Sequence, residues 1–323
     1  MNMTPANTPD AWLGSEIQDH DDWRYRLTPD DIAELLRARD VARASGKAMR
    51  DWQRGDFPLP KLAAKVREWM RQLDRGCGFV LVKGFPVAAH DESTAAEIYW
   101  GLGLHMGRAI SQNSDGDVLG HVRDTGADPK AYGVRLYKTR AEQDFHTDGA
   151  DIIGLFCLMP AKSGGLSRIV SSAAVVNEIR RRAPELAAVL LKPFPFDTQN
   201  QHKPGQNPWF EMPICRLSDG RLSTFFIPWY IRESQMHDGA PRLSELQKRA
   251  IAAIEEIAND PRFYLDMRFE AGDMQFLKNA AILHKRTAYE DWDEPARKRH
   301  LLRLWLVDPD FSGGHDGLRR GIV

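Results

Sequence analysis

Cysteine is scarce in this chain: three in 323 residues, Cys77, Cys157 and Cys215. An odd number at wide spacing makes neither a disulfide framework nor a CxxC metal knuckle, and it points to a reducing compartment. Excess charge is also missing. Lys and Arg number 44 against 45 Asp and Glu, a formal net charge of −1. A general nucleic-acid or anionic-membrane binder needs a basic surplus, and none is available. No window approaches the roughly 18 apolar residues of a membrane-spanning helix. The opening stretch, MNMTPANTPDAWLGSEIQDHDDW, has no basic segment followed by an apolar one, so no signal peptide is expected. Internal repeats, low-complexity linkers and a βαβ rhythm are absent as well. These absences leave the expectation of a soluble cytoplasmic protein without nucleic-acid or membrane partners.

What is present suits a substantial core. Hydrophobic residues make up 42% of the chain and charged residues 28%, enough for a buried interior beneath a solvated surface. Cys157, inside an apolar run, reads as a small core residue. Residues 1 to about 28 read as polar and irregular. TPDDIAELLRARDVAR then predicts a helix, with Thr28 as N-cap and Pro29 in the first position. LPKLAAKVREWMRQLDRG predicts another, with Leu62, Val66, Trp69, Met70 and Leu73 on one face and Gly76 as its stop. GFVLVKGF is a short strand, and a helix runs from Asp91 to about Met106. Beyond that point short β-like runs dominate: YGVRLYKT, DIIGLFCLM, SRIVSS, WFEMPICRL, RLSTFFIPWYI, RFYLDMRFEAGDMQFL and RHLLRLWLVD. Two helical stretches interrupt them, AAVVNEIRRR continuing as ELAAVLLK, and RLSELQKRAIAAIEEIAN. This pattern predicts an antiparallel sandwich or barrel with helical additions. No boundary divides the chain, so 1–323 is read as one domain, with a mainly helical extension over 1–75 and a strand-rich core over 76–310.

The chemistry-bearing candidates lie within that core. His-x-Asp occurs twice. His20-Asp21-Asp22 sits in a polar stretch and reads as a solvated loop. His146-Thr147-Asp148 sits where QDFHTDG meets an apolar run. If this segment enters a strand, residues two apart share a face, and an imidazole and a carboxylate project together. Two such groups hold an ion weakly. A second imidazole would complete the facial triad of non-haem Fe(II), which leaves the other coordination positions open. His284, at the end of NAAILH, is the candidate; the rivals are His105 in a helical run, His300 on the face of RKRHLLRLWL opposite Arg299 and Leu301, and His121, His202, His237 and His315 in polar or loop-like settings. Arg299 and Arg303 stand four apart in RKRHLLRLWLVD and would share a strand face with Leu301 and Trp305. Either they are surface charges on an edge strand, or they turn inward, where each needs an anion. In FFIPWYIRESQ, the aromatics Phe225, Phe226, Trp229 and Tyr230 read first as packing. Gln112 and Asn113 read equally well as a polar turn or as substrate contacts.

These segments, in this order, resemble the taurine dioxygenase-like (TauD/TfdA) family of Fe(II)- and 2-oxoglutarate-dependent dioxygenases, which includes clavaminate synthase-like enzymes. GFVLVKGFPV, QNSDGD, FHTDGAD, PAKSGGLSRIVSS, GDMQFLKNAAILHKRTAYED and RKRHLLRLWLVD carry the likeness, over roughly residues 75 to 308. It implies a mainly β, α+β fold: a double-stranded β-helix, or jelly roll, with a helical N-terminal region and helical insertions. It implies His146, Asp148 and His284 as iron ligands, and Arg299 with Ser167 as the anchor of the far carboxylate of 2-oxoglutarate. Arg303 is implied to grip an anionic group of a small-molecule substrate near Gln112 and Asn113, with the roles of Arg299 and Arg303 open to exchange. Ser167 stands where members usually carry Thr and keeps the hydroxyl. Related halogenases have Gly or Ala at the carboxylate position, so Asp148 favours hydroxylation, with O2 consumed and succinate and CO2 released. A zinc hydrolase or a catalytically silent binding protein could use the same three donors, but a hydrolase needs no dicarboxylate anchor and an intact triad speaks against a silent protein. Desaturation, epimerisation and ring formation stay open, as does a homo-oligomeric state.

Overall fold

A computed structural model describes residues 7–113, 115–218 and 220–311. It is a mixed α/β structure, with eight α-helices among the described residues. The first helices form where the sequence places them. In Pro29–Ala44, Thr28 and Asp31 cap each other: the Thr28 side chain accepts from the Asp31 amide, and the Asp31 carboxylate accepts from Thr28 N at 2.8 Å. These bonds satisfy orphan donors of the first turn. Leu62–Arg75 buries Leu62, Val66, Trp69 and Leu73 and ends at Gly76.

The larger sheet runs, in spatial order, through Arg24–Arg26, Phe79–Lys83, Met274–Lys278, Ile152–Met159 and His300–Val307. Arg108–Ala109 and Leu119–Val122 both pair along the outer side of the last strand. Only the first pairing, 24–26 with 79–83, is parallel. The second sheet has four antiparallel strands, in the order Tyr264–Met267, Ser167–Ser171, Ile282–Arg286 and Gln143–His146.

Side-chain alternation sorts the strands into layers. Val80, Val82, Ile152, Phe156, Met274, Phe276, Leu302 and Leu304 pack outward against the helices 29–44, 62–75 and 92–103. Their neighbours Phe79, Leu81, Ile153, Cys157, Leu277, Leu301 and Trp305 face inward and meet Ile169, Ile282 and Leu265 of the second sheet. That sheet turns Phe145, Val170 and Leu283 outward, onto helices Ser172–Arg182 and Glu245–Ala258. Strands covered on both faces read as continuous apolar runs rather than as alternation. By parity, positions 146, 167, 284 and 303 belong to the space between the sheets. Each fully buried Phe or Leu contributes about 1.5–3 kcal/mol to holding that space closed. Cys77, Cys157 and Cys215 are buried and unpaired, their thiols each pushed up to about 12 by burial.

Several segments differ from expectation. Residues 1–28, read as irregular, hold a short helix, Gly14–Ile17, and the edge strand 24–26; residues 1–6 lie outside the described residues. YGVRLYKT is not a strand: it forms one short helical turn, Leu136–Lys138. RLSTFFIPWYI divides into a strand, Arg221–Thr224, and a helix, Pro228–Ser234. Proline opens a helix readily because its missing N–H is among those left free there anyway.

Candidate metal centre and its two compartments

His146 is the last residue of its strand, and Asp148 lies in the loop beyond it. The expected same-face pairing along one strand therefore does not place the carboxylate; the loop is pinned instead. Thr147 N donates to the Phe226 carbonyl at 2.8 Å, and its hydroxyl accepts from Phe226 N at 3.0 Å. The buried Asn279 side chain accepts from Asp148 N at 2.8 Å and donates to the carbonyls of Asp148 (2.7 Å) and Ala150 (2.8 Å). Asn279 belongs to the turn leading into strand 282–286. His284 stands at the centre of that strand rather than at its end, directly across from His146 in register. The two rings lie 4.2 Å apart, centroid to centroid.

One ligand atom from each of His146, Asp148 and His284 lies within 4.8 Å of the others. Asp148 Oδ1 is 3.8 Å from His146 Nε2, and Oδ2 is 3.5 Å from His284 Nε2. His146 Nδ1 contacts the Asp144 carbonyl at 2.7 Å. A carbonyl only accepts, so Nδ1 carries the hydrogen and Nε2 keeps its lone pair. The Gln143 amide now donates to that lone pair at 3.0 Å, where a cation would take its place. His284 Nδ1 is buried with no hydrogen-bond partner among the described residues. Burial, then the neighbouring His284, pushes His146 from its ordinary 6.5 down to about 3, so the imidazole is neutral. Burial alone would raise the Asp148 carboxyl, but Arg303 and the two imidazoles outweigh it and hold the group well below the usual range. Trp305 Nε1 also donates to Asp148 Oδ2 at 3.2 Å. Two neutral-capable imidazoles and an ionised carboxylate are what a divalent ion requires of its ligands.

Two compartments meet at these donors. One is lined by Ser167, Phe269, Arg286 and Arg299. Arg299 is 5% exposed, and its Nη1 has no partner among the described residues. Burial lowers its pKa, with Tyr289 opposing; the guanidinium carbon lies 5.1 Å from the Tyr289 ring. Arg286 is also buried, with Nε and Nη1 unpartnered, and burial followed by the charge of Arg299 pushes it down to about 10. Two cations with unused donors in one buried space need an anion between them. Ser167 Oγ donates to Gln275 Oε1 at 2.9 Å. Arg299 and Arg303 are both buried, and the strand carrying Arg303 is paired on both edges, which rules out the surface-charge reading.

The other compartment is lined by Arg135, Tyr137, Gln199, Trp229, Tyr230 and Arg303, among others. Trp229 and Tyr230 thus line the cavity, while Phe225 and Phe226 are core. Arg303 is clamped by Gln112: Nε donates to Gln112 Oε1 at 2.7 Å, and Gln112 Nε2 donates to the Arg303 carbonyl at 2.8 Å. Gly120, opposite Arg303 in register, leaves room for this clamp, since a Cβ there would fall 2.7 Å from Gln112 Oε1. Asn113 serves its own turn: Oδ1 accepts from the amides of Asp115 and Asp117, and Nδ2 donates to the Asp117 carboxylate at 2.8 Å. It lines neither compartment. Arg135, Tyr137, Arg286 and Asn279 carried no signal in the sequence beyond residue type. His20 and Asp22 are exposed, as expected of a solvated loop, and His315 lies outside the described residues.

A face of two imidazoles and one carboxylate, with coordination positions left open, is the arrangement that takes Fe(II) in oxygenases. With a cationic compartment beside it, the protein is of the iron- and 2-oxoglutarate-dependent dioxygenase class. The chain belongs to the taurine catabolism dioxygenase TauD, TfdA family, whose model matches residues 39–305. It is 30% identical over 305 residues to FR-33289 synthase of Streptomyces rubellomurinus, covering 94% of this chain and 90% of that one. It is 28% identical over 315 residues to the taurine hydroxylase-like protein SAT17 of Stachybotrys chartarum, covering 94% and 80%. Among solved structures, an asparagine oxygenase in complex with Fe(II), 2S,3S-3-hydroxyasparagine and succinate superposes with a TM-score of 0.70 at 12% identity, over 88% of this chain and 93% of that one. The non-haem iron oxygenase OrfP, with Fe and alpha-ketoglutaric acid, gives 0.66 at 14% identity, over 88% and 94%. At such identities the likeness is one of fold. No helix among the described residues is long and apolar enough to cross a membrane.

Proposed function

We propose that the chain hydroxylates a small, anionic organic substrate, with His146, Asp148 and His284 holding Fe(II) and Arg299, Arg286 and Ser167 receiving the far carboxylate of 2-oxoglutarate. The observation that carries this reading is the pair of buried, under-partnered arginines beside three converging ligand atoms. Iron, 2-oxoglutarate and O2 together supply the oxidant, with release of succinate and CO2. The rest belongs to the protein. Asp148 stays ionised because Arg303 and Trp305 face it. Asn279 sets the loop that aims it. Arg299 offers a fork to a carboxylate, and Ser167 offers a hydroxyl.

In the second compartment, Arg135 and Arg303 are the charged side chains in the lining apart from Asp148, which supports an anionic substrate. Trp229 and Tyr230 cover its other side and keep water from the reacting carbon. Gln112, which lines the same compartment, also positions Arg303 through their paired hydrogen bonds. We read the two facing sheets as the halves of a double-stranded β-helix, with the metal donors at the mouth between them. The 1–75 region belongs to the same domain, a reading supported by one hydrophobic cluster that joins helices 29–44 and 62–75 to the larger sheet.

The test is succinate formation by the Fe(II)-reconstituted full chain across a panel of small carboxylates, sulfonates and phosphorylated compounds, with His146→Ala as the blank. Iron-dependent succinate release, stimulated by at least one anionic compound, is the expected result. Metal-independent turnover, or hydrolysis without 2-oxoglutarate consumption, would overturn the proposal.

A further inference from the structure

A second group of metal-ligating side chains lies outside the site described above and takes no part in it. Glu92 opens helix Glu92–Gly103, His121 lies in strand Leu119–Val122, and His300 begins strand His300–Val307. Three separate elements thus bring two imidazoles and a carboxylate together at the outer edge of the larger sheet. His121 Nδ1 is 2.9 Å from His300 Nε2, and the rings stack with centroids 5.1 Å apart. Glu92 Oε1 is 3.7 Å from His121 Nδ1, and Oε2 is 3.7 Å from His300 Nδ1. One ligand atom from each residue lies within 4.8 Å of the other two.

We propose that Glu92, His121 and His300 form a second cation site, for a borderline transition metal such as Zn(II), distinct from the catalytic triad. Zn–N and Zn–O bonds of about 2.0–2.1 Å set tetrahedral donor–donor edges of about 3.3 Å, and the observed contacts of 2.9 and 3.7 Å bracket that value. The His–His contact has one ring donating to the other. Moving that hydrogen to the donor ring's other nitrogen frees both facing lone pairs without changing net charge. The carboxylate is then placed to ligate through one oxygen, its other oxygen lying 3.7 Å from His300 Nδ1. Oxygen-loving Mg2+ and Ca2+ are disfavoured by two nitrogen donors. The wall of the adjoining cavity carries both signs, with Arg123, Lys298 and Arg299 against Asp124, so selection of the ion falls to the donor set. Glu92 and His121 face solvent, leaving the fourth position to water.

The experiment is calorimetric titration of the chelator-stripped full chain with Zn(II). Wild type is expected to bind two equivalents; one is lost in His146→Ala, and the other persists there and weakens at least tenfold in His121→Ala and in Glu92→Gln. His121 and Glu92 are exposed, so both variants are expected to fold, as matching melting curves would show. Dioxygenase turnover with Fe(II) is expected to be unchanged in His121→Ala. Binding that is identical in wild type and His121→Ala, or that disappears entirely in His146→Ala, overturns the proposal. Failure of the catalytic reading would show separately, as unaltered turnover in His146→Ala.

Discussion

Replacing Arg299 by Met separates its two consequences, one for the cosubstrate and one for the fold. The side chain is 5% exposed, its Nη1 has no partner among the described residues, and Arg286 adds a second positive charge to the same compartment. Truncating one partner of a buried, hydrogen-bonded charge pair costs about 2–5 kcal/mol. At 1.36 kcal/mol per decade, the lower bound is a factor of about 30. Arg286 remains to meet part of the carboxylate charge, so the lower bound applies: the KM for 2-oxoglutarate should rise roughly 30-fold, with the KM for substrate little changed. Without ligand the sign reverses. An uncompensated buried cation is unfavourable, and an apolar side chain of similar volume removes that penalty, a gain of about 1–4 kcal/mol. The ligand-free Met variant should therefore melt several degrees above wild type. Succinate formation against 2-oxoglutarate concentration, together with thermal melts of the ligand-free protein, reads both effects. A KM for 2-oxoglutarate within threefold of wild type and a lowered melting point would refute the assignment; the same pair of effects in Arg303→Met instead would exchange the two arginines.

Three other outcomes are expected. Trp305→Phe removes the donor to Asp148 Oδ2 and should weaken Fe(II) binding by about 10–100-fold, measured by anaerobic titration. Gly120→Ala displaces Gln112 from Arg303 and should raise the substrate KM without altering the KM for 2-oxoglutarate, as initial rates would show. In the metal-free protein, His146 is depressed to about 3 from 6.5, so the unfolded chain takes up a proton that the folded one refuses. Stability is then retained above about pH 6.5 and lost as pH falls toward 3, by up to about 1.4 kcal/mol per unit for this group alone; denaturant melts should show a flatter pH slope in His146→Phe.

The three candidate metal donors were legible because they lie in local patterns: HTDG at the mouth of an apolar run, and His284 in a strand-like segment. The reason given for their convergence was only partly right. Strand periodicity does not place Asp148; a side chain 131 positions away does. Arg299 and Arg303 had a surface reading and an inward reading, and their burial follows the inward one. Asn113 had a turn reading and a contact reading, and its hydrogen bonds follow the turn. Arg135, Tyr137 and Arg286 were not legible, since only closure of the two sheets brings them to the walls of the two compartments. Strand and helix were confused where Pro228 divides an aromatic run, because short apolar segments satisfy either period.

The Asn279 latch has a consequence for biosynthesis. Two of the donors leave the ribosome more than a hundred residues before the amide that fixes their loop and the imidazole that faces them. A nascent chain ending short of that point offers a floppy bidentate fragment, and iron captured there would exchange freely. Tight retention of the ion is thus tied to completion of strand 282–286. Slow metal exchange, measured on stalled chains of increasing length, should appear as a single step once that strand has emerged.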